Sequence, residues 1–188
     1  QFTCWYPDMP NCWRQKKVQG GGGALMDMGV HCIDLIQYIL NTKVDKVSAL
    51  IDTKTFQYEV DDSAGVLMHL ENGANAYVEA NFNIPDKAAK WRLEFYGTKG
   101  CMIAHDTIHQ LDTGSVEVTL EDGSVLNVAA DFGNMYTREI ESFSDSVLNG
   151  TPVQVPLKDG LQVQQIVEAA YYAAENEKVV RLNEFFKQ

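Results

Sequence analysis

The sequence lacks long apolar runs and is poor in basic residues. No uninterrupted apolar stretch reaches the roughly 18 to 20 residues of a membrane-spanning helix. Lys and Arg number 15 against 26 Asp and Glu, which gives a formal net charge of −11. Binding to nucleic acid or to an anionic membrane requires concentrated Lys and Arg. We therefore expect a soluble globular domain that contacts neither.

A single basic cluster, Arg14, Lys16 and Lys17, lies near the start of the chain. It is too small to follow a nucleic-acid duplex, but it is large enough to bind one anionic group. An ordinary exposed loop is the alternative interpretation. On the first interpretation Lys16 is a candidate substrate-binding residue.

The four cysteines are too sparse for a disulfide scaffold. They are Cys4, Cys12, Cys32 and Cys101, and no two of them show the CxxC spacing typical of zinc sites and redox motifs. We expect buried or free thiols in a reducing compartment, which favours the cytoplasm.

The sequence also lacks the dinucleotide-binding fingerprint, in which a strand is followed by GxGxxG and a helix. Gly20–Gly23 follow a polar, basic loop, and Leu25 or Met26 stands where the third glycine would be. The chain alone is therefore not expected to bind a dinucleotide through its phosphates. Because Gln1 is not a natural first residue, we expect a fragment of a longer chain.

What the sequence does contain is a proline-free segment directly after four glycines. Residues 24–40 are long enough for one helix of about four to five turns. At 3.6 residues per turn its polar members fall on one stripe, which consists of Asp27, His31, Asp34 and Tyr38. Polar stripes usually face solvent. Since no Lys, Arg or Glu occurs between residues 18 and 42, the composition favours a functional seam on a mostly buried helix.

Asp27 and His31 have the spacing and the chemistry of a general acid/base pair. A carboxylate one turn before an imidazole can accept a hydrogen bond from a ring N–H and favour the protonated form. The preceding glycines would let a flat ligand or a neighbouring domain approach the start of the helix, where free N–H groups point. A metal-dependent hydrolase or isomerase using Asp27, His31 and Asp34 is an alternative. No second group of ligands is evident in the sequence, so we predict no metal site.

The rest of the chain predicts an α+β fold. Period-2 alternation around the Glu71-Asn72-Gly73 turn predicts a β-hairpin. Further strands are expected at 44–56, 91–96, 101–105, 115–120, 125–128 and 178–182, and helices at 135–148 and 158–176. Short connections permit only antiparallel neighbours for most pairs. We therefore expect a single domain over residues 1–188, with one large, mainly antiparallel open sheet and helices on one face.

The remaining polar residues of interest have structural interpretations. His69, His105 and His109 lie in strand-like segments, where we expect satisfied structural histidines. Asp34 is expected to support its helix or to cap a loop.

Several motifs occur in the order found in a known family. They are Trp13-Arg14, the glycine run, Asp27-Met28-Gly29-Val30-His31 with Asp34, Val60-Asp61-Asp62-Ser63-Ala64, Leu70-Glu71-Asn72-Gly73-Ala74, Phe95-Tyr96-Gly97-Thr98-Lys99-Gly100, Tyr136 to Phe143, and Asp159-Gly160 before a helix. In these motifs the sequence resembles the C-terminal domain of the Gfo/Idh/MocA oxidoreductases, the superfamily of glucose-fructose oxidoreductase and inositol dehydrogenase. The similarity spans nearly the whole chain.

The resemblance implies the substrate-side domain of an NAD- or NADP-dependent oxidoreductase that acts on a sugar, a polyol or a related hydroxy compound. It implies that His31 donates or accepts a proton on the substrate, while Asp27 orients His31 or holds a neighbouring hydroxyl. It matches Trp13, Arg14 and Tyr136 to residues that contact the nicotinamide side of the cofactor. The family binds the dinucleotide and carries the catalytic lysine in an N-terminal Rossmann domain. This chain lacks both, so we expect it to be inactive alone.

A non-catalytic assembly or ligand-binding module of the same fold is the alternative function. Related proteins pair through the open face of the sheet, so the resemblance implies a homodimer or homotetramer. Depending on register, that face carries either Tyr77, Glu79 and Asn81 or the opposite residues Val78 and Ala80.

Overall fold

The computed structural model describes residues 1–89, 91–129, 131 and 133–187. The chain forms two compact units, Gln1–Ala89 with Leu157–Gln188, and Lys90–Pro156. The strands of the described residues are β1 (Phe2–Thr3), β2 (Val44–Asp52), β3 (Ser63–Leu70), β4 (Asn75–Asn81), β5 (Arg92–Gly97), β6 (Gly100–His105), β7 (Ser115–Leu120), β8 (Val125–Val128) and β9 (Val180–Arg181). The α-helices are α1 (Lys17–Gly20), α2 (Val30–Leu40), α3 (Met135–Asn149), α4 (Leu157–Glu175) and α5 (Leu182–Phe185).

The predicted α+β class with mainly antiparallel strands is confirmed. The strands belong to two sheets, where the sequence predicted one. The first unit holds the order β1-β4-β3-β2-β9, and the second holds β5-β6-β7-β8. All strand pairs within these sheets are antiparallel except β1 with β4. Judged by length and hydropathy, none of the helices formed by the described residues could span a membrane.

The predicted hairpin is formed by β3 and β4. Its turn is closed by a hydrogen bond of 2.9 Å from the Gly73 N–H to the Leu70 carbonyl oxygen. The Asn72 side chain accepts the Ala74 N–H at 3.0 Å. Gly73 has a φ of 88°, which a residue without a side chain adopts at little cost. The local turn chemistry therefore fixes this register.

One face of the first sheet is buried and the other is open. Val78 and Ala80 are 1% and 0% exposed. Glu79, which lies between Val78 and Ala80 in sequence, points to the opposite face of the sheet, as does Tyr77. Leu67 of β3 is the cross-strand partner of Tyr77. Tyr77 and Leu67 are 61% and 53% exposed. Of the two predicted registers, the one with Tyr77, Glu79 and Asn81 on the open face is correct, although Asn81 itself is buried beside β1.

Helices cover the buried face of the first sheet. The segment from Ala24 to α2 packs on β4, and α4 packs on β2. Ala24 and Met28 form a buried cluster with Ala80 and Phe82. The buried residues of α4 are Val163, Ile166, Val167, Ala169, Ala170 and Ala173. Alternating strand residues and one helical stripe thus build this core, as the sequence predicts.

The predicted helix over residues 24–40 is not a uniform α-helix. Leu25–Gly29 form a π turn, in which the Val30 N–H bonds to the Leu25 carbonyl oxygen, and α2 follows. A π turn contains more residues than an α turn, so the α-helical spacing does not hold between Asp27 and His31. Asn41, with a φ of 46°, ends the helix.

Helix α3 of the second unit lies where the sequence predicts it. Asn134 caps its start, since its side chain accepts the Thr137 N–H at 2.9 Å. Its apolar stripe is exposed, however: Ile140, Phe143 and Val147 are 66%, 60% and 66% exposed. The apolar residues whose periodicity predicts this helix therefore do not belong to a buried core.

Candidate functional site

The four polar residues predicted to form one stripe lie on the surface. Asp27, His31, Asp34 and Tyr38 are all exposed, while Cys32, Ile33 and Ile36 on the opposite side are buried. The His31 ring lies 6.5 Å, centroid to centroid, from the Phe2 ring. The four polar side chains are therefore accessible to solvent, as in the alternative that the composition did not favour.

The predicted contact between Asp27 and His31 is not formed. Among the described residues, no hydrogen bond joins the Asp27 carboxylate to the His31 ring. Asp27 belongs to the π turn, and His31 belongs to the first turn of α2. Asp27 instead lies beside Arg14, with 3.8 Å between Arg14 Nε and Asp27 Oδ1.

Arg14 contacts two other predicted site residues, Trp13 and Asp27. Its guanidinium carbon lies 4.6 Å from the centroid of the Trp13 ring, within the range of a cation–π interaction. Trp13 is 51% exposed, so an aromatic surface and a cation lie beside the Asp27 carboxylate, all accessible to solvent.

A buried glutamine holds the turn that carries Trp13 and Arg14. Trp13–Gln15 form a short 3-10 turn. The Gln15 side chain is 3% exposed, donates to the Pro7 carbonyl oxygen at 2.7 Å and accepts the Met9 N–H at 2.9 Å. These two bonds fix the irregular segment before the helix. They could not be predicted from the sequence, because an isolated Gln belongs to no motif.

Lys16 pairs with Glu59, and Tyr136 belongs to the second unit. The Lys16 ammonium contacts the Glu59 carboxylate at 3.3 Å, and both side chains are about half exposed. The pKa of Glu59 is lowered by the hydrogen bond from the Lys17 N–H and by Lys16. Tyr136 is in the first turn of α3 in the second unit, where it is 47% exposed.

The N–H groups at the start of the helix are occupied by Asp61. Its Oδ1 accepts the Gly23 N–H at 2.8 Å, and its Oδ2 accepts the Leu25 N–H at 2.9 Å. The Tyr171 hydroxyl also donates to Oδ1, at 2.6 Å. The prediction that free N–H groups point to a ligand here is therefore wrong. No local sequence pattern indicates this role of Asp61, because Asp61 lies far from the helix along the chain.

Contacts within the chain also account for the glycine run. A Cβ atom at Gly23 would overlap the backbone of Asp61, and one at Gly22 would overlap the Tyr171 hydroxyl. Gly21 has a φ of 79°, which disfavours a side chain. These glycines serve the packing of the helix start, so their presence does not require a ligand there.

Asp34 experiences an unfavourable electrostatic environment for a carboxylate. Its pKa is raised by partial burial and then by the nearby Asp159 carboxylate, while His31 opposes the shift. The described residues contain no group of three or more His, Cys, Asp or Glu placed to hold a metal ion. The metal-dependent alternative therefore receives no support from the geometry.

A cavity of about 440 Å³ lies beside the glycine run in the first unit. Gly21 and Gly22 form one side of it, and Tyr171 and Glu175 of α4 form another. Neither Asp27 nor His31 lines it. The candidate site is consequently the exposed helix face with Trp13 and Arg14, and not this cavity.

Comparison with known proteins finds relatives among sugar and inositol dehydrogenases. The chain is 29% identical over 163 residues to D-xylose 1-dehydrogenase (NADP(+)) 2 of Haloferax volcanii, covering 86% of this chain and 49% of that protein. It is 25% identical over 173 residues to myo-inositol 2-dehydrogenase of Thermotoga maritima, covering 89% of this chain and 51% of that protein. The chain thus spans about half the length of the curated relatives it matches.

Solved structures show the same fold. Aldose-aldose oxidoreductase from Caulobacter crescentus, complexed with glycerol, superposes with a TM-score of 0.84 at 23% identity, covering 96% of this chain and 53% of that one. Levoglucosan dehydrogenase in complex with NADH and levoglucosan gives 0.82 at 23% identity, covering 96% and 56%. The family model for the GFO/IDH/MocA C-terminal domain matches residues 1–103. The chain therefore belongs to the family of GFO/IDH/MocA C-terminal domains.

Proposed function

We propose that this chain is the substrate-side domain of an NAD(P)-dependent oxidoreductase that acts on a sugar, a polyol or a related hydroxy compound. The observation that carries the proposal is the exposed face formed by Asp27 and His31, with Arg14 and Trp13 beside Asp27. Family membership and the dehydrogenase relatives support it.

His31 is the proton-transfer group in this proposal. Imidazole is the side chain best suited to moving a proton near neutral pH. In the oxidation direction, the substrate hydroxyl gives its proton to His31 as the carbon loses a hydride; in reduction, His31 returns the proton to the forming alkoxide. The Asp27 carboxylate accepts a hydrogen bond from a second substrate hydroxyl. This bond fixes the orientation of the carbon being oxidised.

The accessible residues fit a nicotinamide ring. Trp13 presents a half-exposed aromatic surface, and Arg14 adds a cation on its face. NAD or NADP, when bound, supplies the hydride acceptor or donor. We assign contacts with the nicotinamide side to Trp13 and Arg14, and for Tyr136 the same assignment rests on the family resemblance alone. Phosphate binding and the catalytic lysine belong to an N-terminal Rossmann domain, and the greater length of the relatives supports this division.

Lys16 is the proposed contact for an oxygen-rich or anionic part of the substrate. Its pair with Glu59 is exposed, and exposed ion pairs are worth only about 0 to 1 kcal/mol. A substrate oxygen can therefore replace the Glu59 carboxylate beside Lys16 with little loss of free energy.

Assembly and location are part of the same proposal. The open face of the first sheet exposes Leu50, Leu67 and Tyr77. Apolar side chains clustered on an open sheet face favour subunit contact, so we propose a homodimer or homotetramer through this face. The predicted free thiols favour the cytoplasm.

The test is turnover by the full-length protein on pentoses, hexoses and inositols, each with NAD⁺ and with NADP⁺. We expect reduced cofactor to form with at least one of these substrates. If the protein binds the cofactor but oxidises none of them, the non-catalytic module becomes the better interpretation.

A further inference from the structure

Asp61 is a buried carboxylate surrounded by donors. It is 6% exposed and precedes β3. A buried carboxylate is tolerated only when its oxygens are hydrogen-bonded. Both oxygens of Asp61 meet this condition, because they accept the Gly23 N–H, the Leu25 N–H and the Tyr171 hydroxyl.

Asp61 binds three consecutive N–H groups at the start of the helix. Its carboxylate takes those of Gly23 and Leu25, and its own carbonyl oxygen accepts the Ala24 N–H at 2.9 Å. One residue thus determines both the position and the rotation of the first turn. The next turn follows directly, since the Asp27 N–H bonds to the Gly23 carbonyl oxygen at 2.9 Å.

Tyr171 of α4 holds the Asp61 carboxylate through the hydrogen bond from its hydroxyl group. Burial and the neighbouring Asp61 charge raise the pKa of Tyr171 far above its usual range, so its hydroxyl remains a donor. Tyr171 belongs to α4, which packs on β2 of the same sheet. The hydrogen bond therefore ties the helix start to a second, buried element.

We propose that Asp61, held by Tyr171, is the positioning residue that places Asp27 and His31 for the reaction. Asp61 is not a catalytic residue, because it is buried and acts only through the backbone of residues 23–25. The proposal rests on the proposed function for its kinetic consequence alone, since the anchoring itself can be measured without turnover.

The neighbouring Asp62 provides a matched control. It is 0% exposed, and its carboxylate accepts the N–H groups of Lys54, Thr55 and Phe56 at 2.7 to 3.0 Å. Asp61→Asn and Asp62→Asn therefore make the same chemical change at similarly buried sites. They differ in the segment that loses its acceptor, which is the helix start in one case and the loop after β2 in the other.

The kinetic experiment compares these variants in the full-length protein. In Asp61→Asn an NH₂ group faces a backbone N–H, so the first turn must shift. Misplacement by about 1 Å can cost about 10²-fold in rate, and we expect a loss of that order in kcat, larger than the change in KM. Asp62→Asn should keep kcat close to that of the parent. Tyr171→Phe leaves the carboxylate in place and should give a smaller loss in kcat.

Backbone hydrogen exchange in the same proteins provides the readout that does not depend on activity. Exchange at residues 23–27 should accelerate in Asp61→Asn and Tyr171→Phe, and exchange at 54–56 should accelerate in Asp62→Asn. Unchanged exchange at residues 23–27 would overturn the anchoring, and faster exchange there with a parental kcat would overturn the positioning role. If Asp61→Asn does not fold, Tyr171→Phe decides by the same two criteria.

Failure of the proposed function is recognised separately. If His31→Asn leaves turnover unchanged, the catalytic assignment fails, and the exchange data at residues 23–27 still decide whether Asp61 anchors the helix.

Discussion

Arg14 approaches Asp27 to within 3.8 Å across the start of the helix, while its guanidinium lies on the Trp13 ring. The Arg14 and Asp27 side chains are 55% and 49% exposed. Exposed pairs of this kind contribute only about 0 to 1 kcal/mol to stability. The pair therefore adds little to stability and leaves both side chains available for the contacts proposed above.

Arg14→Ala should separate binding from stability. We expect the free energy of unfolding to fall by less than about 1 kcal/mol, because the pair is solvated. In the full-length protein KM for the cofactor or substrate should rise. Arg14→Lys should restore only part of the loss, since an ammonium does not stack on Trp13 as a planar guanidinium does. A large drop in stability with unchanged KM would contradict this interpretation.

Asp34→Asn should stabilise the protein at neutral pH. The raised pKa means that the folded state holds the Asp34 proton more tightly than the unfolded chain does. Stability is therefore lost as the pH rises from the ordinary value of 3.8 through the raised value. Chemical denaturation over this pH range should show a smaller loss of stability in the variant than in the parent.

A double-mutant cycle checks the cause. Because Asp159 is the neighbouring charge that raises the pKa of Asp34, the gain from Asp34→Asn should shrink in an Asp159→Asn background. If Asp34→Asn stabilises the protein equally in both backgrounds, burial alone raises the pKa of Asp34.

Cys12 should react with iodoacetamide before Cys4 and Cys32. Its pKa is lowered chiefly by Tyr6, whose hydroxyl oxygen lies 3.1 Å from the sulfur. Burial and nearby carboxylates raise the pKa of Cys4 to about 11, and burial raises that of Cys32. Because the thiolate is the reactive form, peptide mass spectrometry should find Cys12 labelled first, and more slowly in Tyr6→Phe. Equal rates in parent and variant would show that Tyr6 has no such effect.

Leu67→Glu should weaken self-association through the open face. Leu67 pairs with Tyr77 on that face, and a charge there would have to be desolvated in an interface. Sedimentation equilibrium should show an oligomer for the parent and a lower mass for the variant. Val18→Glu, at a residue that is 97% exposed in α1, is the control. A parent that sediments as a monomer would rule out this mode of assembly.

Local patterns in the sequence were sufficient for much of the fold. The hairpin at Gly73 follows from turn chemistry between adjacent residues, and the alternation around Val78 follows from the pleat of a strand. The exposure of Asp27 and His31 opposite the buried Cys32 and Ile33 follows from amphipathic periodicity, but the π turn that contains Asp27 does not follow from it.

Contacts between distant residues could not be predicted in this way. Nothing beside Asp61 in the sequence indicates that its carboxylate binds Gly23 and Leu25, and nothing beside Gly22 indicates that Tyr171 occupies the space next to it. The exposed stripe of α3 was missed for a related reason. Periodicity shows that Ile140 and Phe143 share a side of the helix, but it does not show what covers that side.

If His31 transfers the proton, kcat of the full-length protein depends on its imidazole ring. His31→Asn should lower kcat by about 10²- to 10⁴-fold with little change in cofactor affinity. His105→Asn, at an exposed histidine of β6 in the second unit, should leave kcat unchanged. A His31→Asn protein that turns over a good substrate at the parental rate would contradict the account and leave His31 with a structural role.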